Sequence, residues 1–182
     1  MDKQPANGIL EEFRIDFVEC WQRLPNKGFF FILLAAWLAL FQFLGNSTQG
    51  YISTPSLMRW MYIIYRPSPD PGGSDDTHGN IVPFIVLAIF WWKRKQLLAL
   101  QLQLWWPGLL LVGLGLVLHL VGYMGQQPRI SIIALFTGIY GLMGLAWGRE
   151  WLRNSFFPFF LFAFCVPLGW SAVWITFPLR LL

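Results

Sequence analysis

Apolar residues in this chain fall into five long runs separated by short polar links, and ahead of the first run they recur at helical spacing. Leu10, Phe13, Phe17, Trp21 and Leu24 stand three or four positions apart, with Glu11, Glu12, Arg14, Asp16, Glu19 and Arg23 between them. That pattern predicts an amphipathic helix over residues 8–24. It is too charged to span a bilayer, so it is expected to lie in the membrane interface or pack on the bundle. Pro25, Asn26, Lys27 and Gly28 break it. The apolar runs then predict spans at about 29–44, 81–92, 108–124, 130–147 and 156–175. Between the first two, residues 51–65 are too aromatic and interrupted for a span and read as an interfacial or re-entrant helix. Residues 66–79, RPSPDPGGSDDTHG, read as an exposed loop. The expected fold is an all-α integral membrane protein. It has about five transmembrane helices, an amphipathic N-terminal helix (residues 1–27) and an interfacial helix in the first outer loop, with residues 28–182 as the membrane domain.

Composition excludes an ordinary soluble domain: of 182 residues, 56% are hydrophobic and 12% charged. Eleven Trp and seventeen Phe exceed what a soluble core needs and suit aromatic girdles at two interfaces. The net charge of +4 then reports topology. With the N-terminus inside, Lys3, Arg14, Arg23, Lys27, Lys93, Arg94, Lys95, Arg149 and Arg153 fall on the inner side. Arg59, Arg66, Arg129 and Arg180 fall outside, the asymmetry expected of a cytoplasmic N-terminus. A full crossing by 51–65 would invert the later signs. No basic stripe with interleaved aromatics lies outside the apolar runs, so nucleic acid is not an expected partner; membrane lipids are. Cys20 and Cys165, one cytoplasmic and one within the bilayer, are not expected to form a disulfide. The first apolar run starts at Gly28 with no small-x-small cleavage site after it, so it is expected to stay as a signal anchor.

The stretch Thr77–Lys95 gives the chain its direction: a polar turn, an apolar run with Pro83 in its first turn, Trp91 and Trp92 at headgroup level, then Lys93, Arg94 and Lys95 as cytoplasmic anchors. Arg149 and Arg153 anchor a later link in the same way. Residues 81–92 make only about 18 Å of helix against a hydrocarbon core of about 30 Å, so this span must borrow length from its flanks, snorkel its cations or thin the bilayer locally. Gly138, Gly141, Gly144 and Gly148 form a small-residue face for close packing. His119 lies inside the third span, where an interhelical hydrogen bond is its commoner use. Asp70, Asp75 and Asp76 near His78 lack a second histidine and read as turn residues, so no metal or cofactor is expected. Pro167 should kink the fifth span.

Two blocks of sequence resemble the exosortase/archaeosortase family. The first is His78-Gly79, Val82-Pro83 and Trp92 to Lys95. The second is Gly148-Arg149, Phe157-Pro158, Phe160-Leu161, Val166-Pro167 and Thr176-Phe177-Pro178-Leu179-Arg180. The resemblance covers about residues 77–182. It implies a multi-pass enzyme of the bacterial cytoplasmic membrane, a cysteine protease or transpeptidase. Its partners would be exported proteins with a C-terminal tripartite signal: a Pro-Glu-Pro-type motif, an apolar span and a basic tail. His78, Gly79 and Arg180 are then substrate-handling candidates on the outer face. The family's Cys-Ser-Gly-Leu-Arg type motif does not occur here, and Cys165 sits in an apolar context that disfavours a thiolate. The chain is therefore expected to be an N-terminal portion with no catalytic residue of its own. The competing reading is a non-enzymatic membrane subunit of a cell-surface or exopolysaccharide export system. No Asp or Glu occurs within the five predicted spans to favour transport.

Overall fold

The computed structural model describes residues 6–67 and 76–167. Its helices are α1 (Ala6–Arg23), α2 (Lys27–Leu44), α3 (Leu57–Ile64), α4 (Val82–Leu98), α5 (Gly108–Met124), α6 (Pro128–Trp147) and α7 (Arg149–Phe160). Short 3-10 turns cover Thr77–Asn80 and Leu161–Cys165, and no strand occurs among the described residues.

The fold is built around α6, whose Ile132, Leu135, Leu142, Leu145 and Ala146 are buried. The expected glycine face is real and is used from two sides. A Cβ on Gly141 would lie 2.8 Å from Val112 N and 2.9 Å from Gly108 O, so α5 and α6 meet backbone to backbone. On Gly138 it would lie 1.9 Å from the ring of Trp37 in α2, whose indole N–H donates to Leu135 O at 3.0 Å. Without a hydrophobic driving force between helices in lipid, such approach is how van der Waals contact is gained.

Gly148, at φ 100°, ψ 174°, takes a backbone conformation essentially restricted to glycine. It lets α7 double back along α6, with Trp147 against Trp151 at 4.7 Å, Tyr140 against Phe159 at 4.7 Å and Phe136 against Phe162 at 4.3 Å. Here the structure departs from the sequence reading. The expected polar link at 148–154 is the start of a helix, because Trp151, Leu152 and Ser155 share a buried face. The expected continuous span 156–175 stops being α-helical at Phe160. Residues 168–175 lie outside the described residues. The proline inside α7 is Pro158, while the kink expected at Pro167 adjoins residues outside the described ones. Pro158 has no N–H for the carbonyl of Asn154 four residues earlier, and the Lys93 ammonium donates to that carbonyl instead, at 3.2 Å.

α4 is seventeen residues, about 25 Å. The helix passes through the cationic triplet and buries Leu97 beyond it, so it extends past the short apolar run on its C-terminal side. α1 packs on α4 through Phe13 on Trp91 at 4.6 Å and an ion pair between Asp16 and Arg94.

The long-range polar contacts sort the molecule into two ends. At one, Asn26 donates to Ala146 O (3.2 Å), Trp147 to Pro25 O (3.0 Å) and Trp105 N to Leu145 O (3.1 Å). At the other, Tyr51 donates to Gln126 O and Tyr65 to Cys165 O. Thus α2, α4, α5, α6 and residues 149–165 each run from one end to the other. By length and composition, α2 and α6 are long and apolar enough to cross a membrane, and α5 is a shorter apolar helix of seventeen residues. The eight residues of α3, about 12 Å, are too few to cross.

Candidate functional site

The predicted site residues His78 and Gly79 lie on the 3-10 turn that leads into α4, at the end away from the cationic triplet. The turn is held by Gly79 N–H donating to Asp76 O and Ile81 N–H to His78 O, both at 3.0 Å. Gly79 is required sterically: a Cβ there would stand 2.6 Å from the Tyr65 ring. Asn80 donates to Tyr65 O at 3.0 Å, the Tyr65 hydroxyl donates to Cys165 O, and the Cys165 thiol lies 3.8 Å from Gly79 O. The end of α3, the start of α4 and the end of the 161–165 turn are thereby tied into one knot. Burial raises the Tyr65 hydroxyl above its ordinary pKa, with the nearby Cys165 and Asp76 acting in the same direction. It is therefore a donor at neutral pH and not a base.

Within this knot His78 is exposed, while Gly79 and Asp76 are buried. Arg180, Asp70 and Asp75 lie outside the described residues. Cys165 is fully buried, as its apolar sequence context led one to expect, and its thiol faces a carbonyl rather than a base. Among the described residues no group of His, Cys, Asp and Glu is arranged to hold a metal. The sequence reading missed Tyr65 and Asn80, because their partners lie as much as a hundred positions away and no local spacing marks them.

Beside the knot runs an apolar groove of about 460 Å³ between α6 and the 156–166 segment, lined by Phe136, Tyr140, Phe156, Phe160, Phe162 and Val166 among others. Its hydroxyls are satisfied internally: Thr137 donates to Ile133 O at 2.8 Å and Tyr140 to Leu152 O at 2.7 Å. What remains on offer to an occupant is apolar surface.

His119 belongs to the scaffold. Its Nε2 lies 3.2 Å from Leu44 O and its Nδ1 3.3 Å from Ser131 Oγ, with Phe41 packed on the ring at 4.5 Å. A carbonyl can only accept, so Nε2 carries the proton and Nδ1 accepts from Ser131. One imidazole thus joins α2, α5 and α6. Of the five cations expected as anchors, Lys95, Arg149 and Arg153 are exposed, whereas Lys93 and Arg94 are half-buried and bonded within the protein. The Arg94 guanidinium lies 4.2 Å from the Trp91 ring.

Residues 72–182 match a family described as transmembrane exosortase. The match takes in the 77–80 turn, α4 to α7 and the apolar groove. No curated protein and no solved structure matches the chain.

Proposed function

The chain belongs to the transmembrane exosortase family, and from that premise we propose that it serves in the bacterial cytoplasmic membrane in the processing of exported proteins that carry a C-terminal tripartite sorting signal. On this reading the N-terminus is cytoplasmic and all five end-to-end segments cross the membrane. Support comes from the cation asymmetry and from the sorting of contacts into two ends, with Asn26, Ala146 and Trp147 at one and Leu44, Tyr65 and Cys165 at the other. A cysteine at position 74 would then be labelled from outside and one at position 96 would not. Labelling of both would overturn the topology.

The apolar groove beside the knot receives the apolar span of the signal, and the exposed His78, together with Arg180, handles the polar motif ahead of it. The observation that carries this reading is that the groove, with no unsatisfied hydroxyl, reaches Val166, whose neighbour Cys165 meets Gly79 of the turn that displays His78. A histidine offers a donor or an acceptor near neutral pH, and an arginine can hold a carboxylate through two parallel bonds. Neither Cys20 nor Cys165 is assigned the cleavage chemistry. The test, made in a full-length exosortase carrying this segment, measures cleavage of a tagged signal-bearing substrate together with membrane abundance for His78→Ala, Arg180→Lys and Cys165→Ala. Cleavage lost at normal abundance in the first two, and kept in the third, supports the assignment. Abundance falling in step with cleavage would make His78 and Arg180 structural.

A further inference from the structure

α1 meets α4 along one edge, and the contact leaves two adjoining hollows at the end of the bundle that carries Lys93 to Lys95. The first is a slot of about 260 Å³ with almost wholly apolar walls from Trp21 and Leu24 of α1, Phe90, Trp91 and Leu97 of α4, and Trp151 of α7. The second is a polar notch of about 280 Å³ lined by Asp16, Glu19, Arg23 and Lys95. Cys20 and Leu98 line both, so slot and notch share a wall.

Two N–H groups at this place have no acceptor: Nε of Arg94 and Nε1 of Trp151. Both side chains line the slot, and Trp151 is only 6% exposed. A buried N–H without an acceptor costs about as much as a lost hydrogen bond. The rest of the Arg94 fork is engaged, one terminal nitrogen donating to Trp91 O and the other to Asp16. In the notch Arg23 pairs with Glu19 at 2.7 Å and Asp16 pairs with Arg94, while Lys95 acts on Asp16 only through its charge and makes no direct ion pair there.

We infer that slot and notch together bind one anionic phospholipid, its acyl chain in the slot and its negative charge at Lys95. Two features select this occupant. An apolar slot opening at the flank of a membrane bundle meets lipid before anything else. The charged side chains around slot and notch, Arg23, Arg94 and Lys95 against Asp16 and Glu19, leave one positive charge over, which favours an anionic over a zwitterionic headgroup. Bound there, the lipid would fill the gap beneath α1 and hold that helix against α4.

The probe is phosphatidylglycerol with a photoreactive diazirine in its acyl chain, presented to the purified chain in phosphatidylcholine nanodiscs, with crosslinked peptides mapped by mass spectrometry. Labelling is expected to concentrate on residues 17–24 and 87–98. Unlabelled phosphatidylglycerol should compete about fivefold better than phosphatidylcholine, the size expected of one matched cation near the headgroups. Cys20→Trp and Leu98→Trp, which fill the shared wall from opposite helices, should each remove the label. Lys95→Gln should keep the label and lose the preference for phosphatidylglycerol. Limited proteolysis of α1 checks that each variant keeps that helix docked. Three results would overturn the site: labelling spread evenly over the lipid-facing helices; equal competition by the two lipids on the wild type; or label undiminished in both tryptophan variants with α1 docked. Should both tryptophan variants release α1, the wild-type competition decides alone.

Discussion

Where α5 meets α6, backbone touches backbone; where α1 meets α4, only side chains touch. The α2–α5–α6 core is closed by glycines with no room for a Cβ, and its polar groups, His119 and the Trp37 indole, each reach across to a neighbouring helix. The α1–α4–α7 flank is closed by rings, Phe13 and Phe17 on Trp91 and Trp147 on Trp151, and it keeps hollows and two donors without acceptors. Small residues let two rigid backbones share a long surface, whereas aromatic contacts are large but discontinuous and leave gaps between them. Rigidity is thus placed in the core and room for occupants on the flank.

The sharpest way to break this contrast is to add a side chain in the core. Gly141→Leu should destabilise by about 3 kcal/mol or more, at the upper end for overpacking, because the atoms it meets are backbone and cannot swing away. Gly113→Leu, where nothing lies within 4 Å of the added Cβ, should be neutral. Thermal unfolding in detergent compares the two, and equal effects would show that the glycine face is not what closes the core.

Removing the polar joint comes next. His119→Leu leaves Leu44 O and the Ser131 hydroxyl without their partner and should cost about 1–2 kcal/mol. Asparagine, which can replace only one of the two bonds, should recover part of that in the same unfolding measurement.

On the flank, Lys93→Met removes the donor that Pro158 makes necessary and should cost about 1 kcal/mol. The loss should be local to α7, seen as faster hydrogen exchange over residues 149–160 and not over α6. Faster exchange in both helices would mean that core and flank unfold as one unit.

The smallest effect expected is at the α1 latch. The hydrogen bond from the Arg94 guanidinium holds the Asp16 carboxyl below its ordinary value against the opposing effect of burial, and the charges of Arg94 and Lys95 add smaller shifts in the same downward direction. A carboxyl lowered in the folded state stabilises fully above its unfolded pKa of about 3.9. That contribution is lost as pH falls through the lowered folded value. Proteolytic release of α1 should therefore rise only below about pH 4. In Asp16→Asn it should be raised slightly and show no such step, while α6 stays protected throughout.

Much of this protein is legible in one dimension. Hydrophobic run length, the Pro25–Gly28 break and the glycine spacing of α6 are local properties, and they determined the all-helical class, the amphipathic α1 and the close-packed α6. Burial of an apolar run and the steric size of a glycine do not depend on what the partner is. Tertiary structure alone decided the rest, because each remaining feature is a pairing between distant positions. Pro158 made an acceptor of Asn154 O, but only the fold could bring Lys93 to it. Tyr65 ended an ambiguous aromatic stretch until Cys165 and Gly79 arrived to complete the knot. The α-helix expected through residue 175 stopped at Phe160 and gave way to the 3-10 turn whose last residue, Cys165, meets Gly79. Run length measures how much chain is apolar; where that chain must turn is set by the element it packs against.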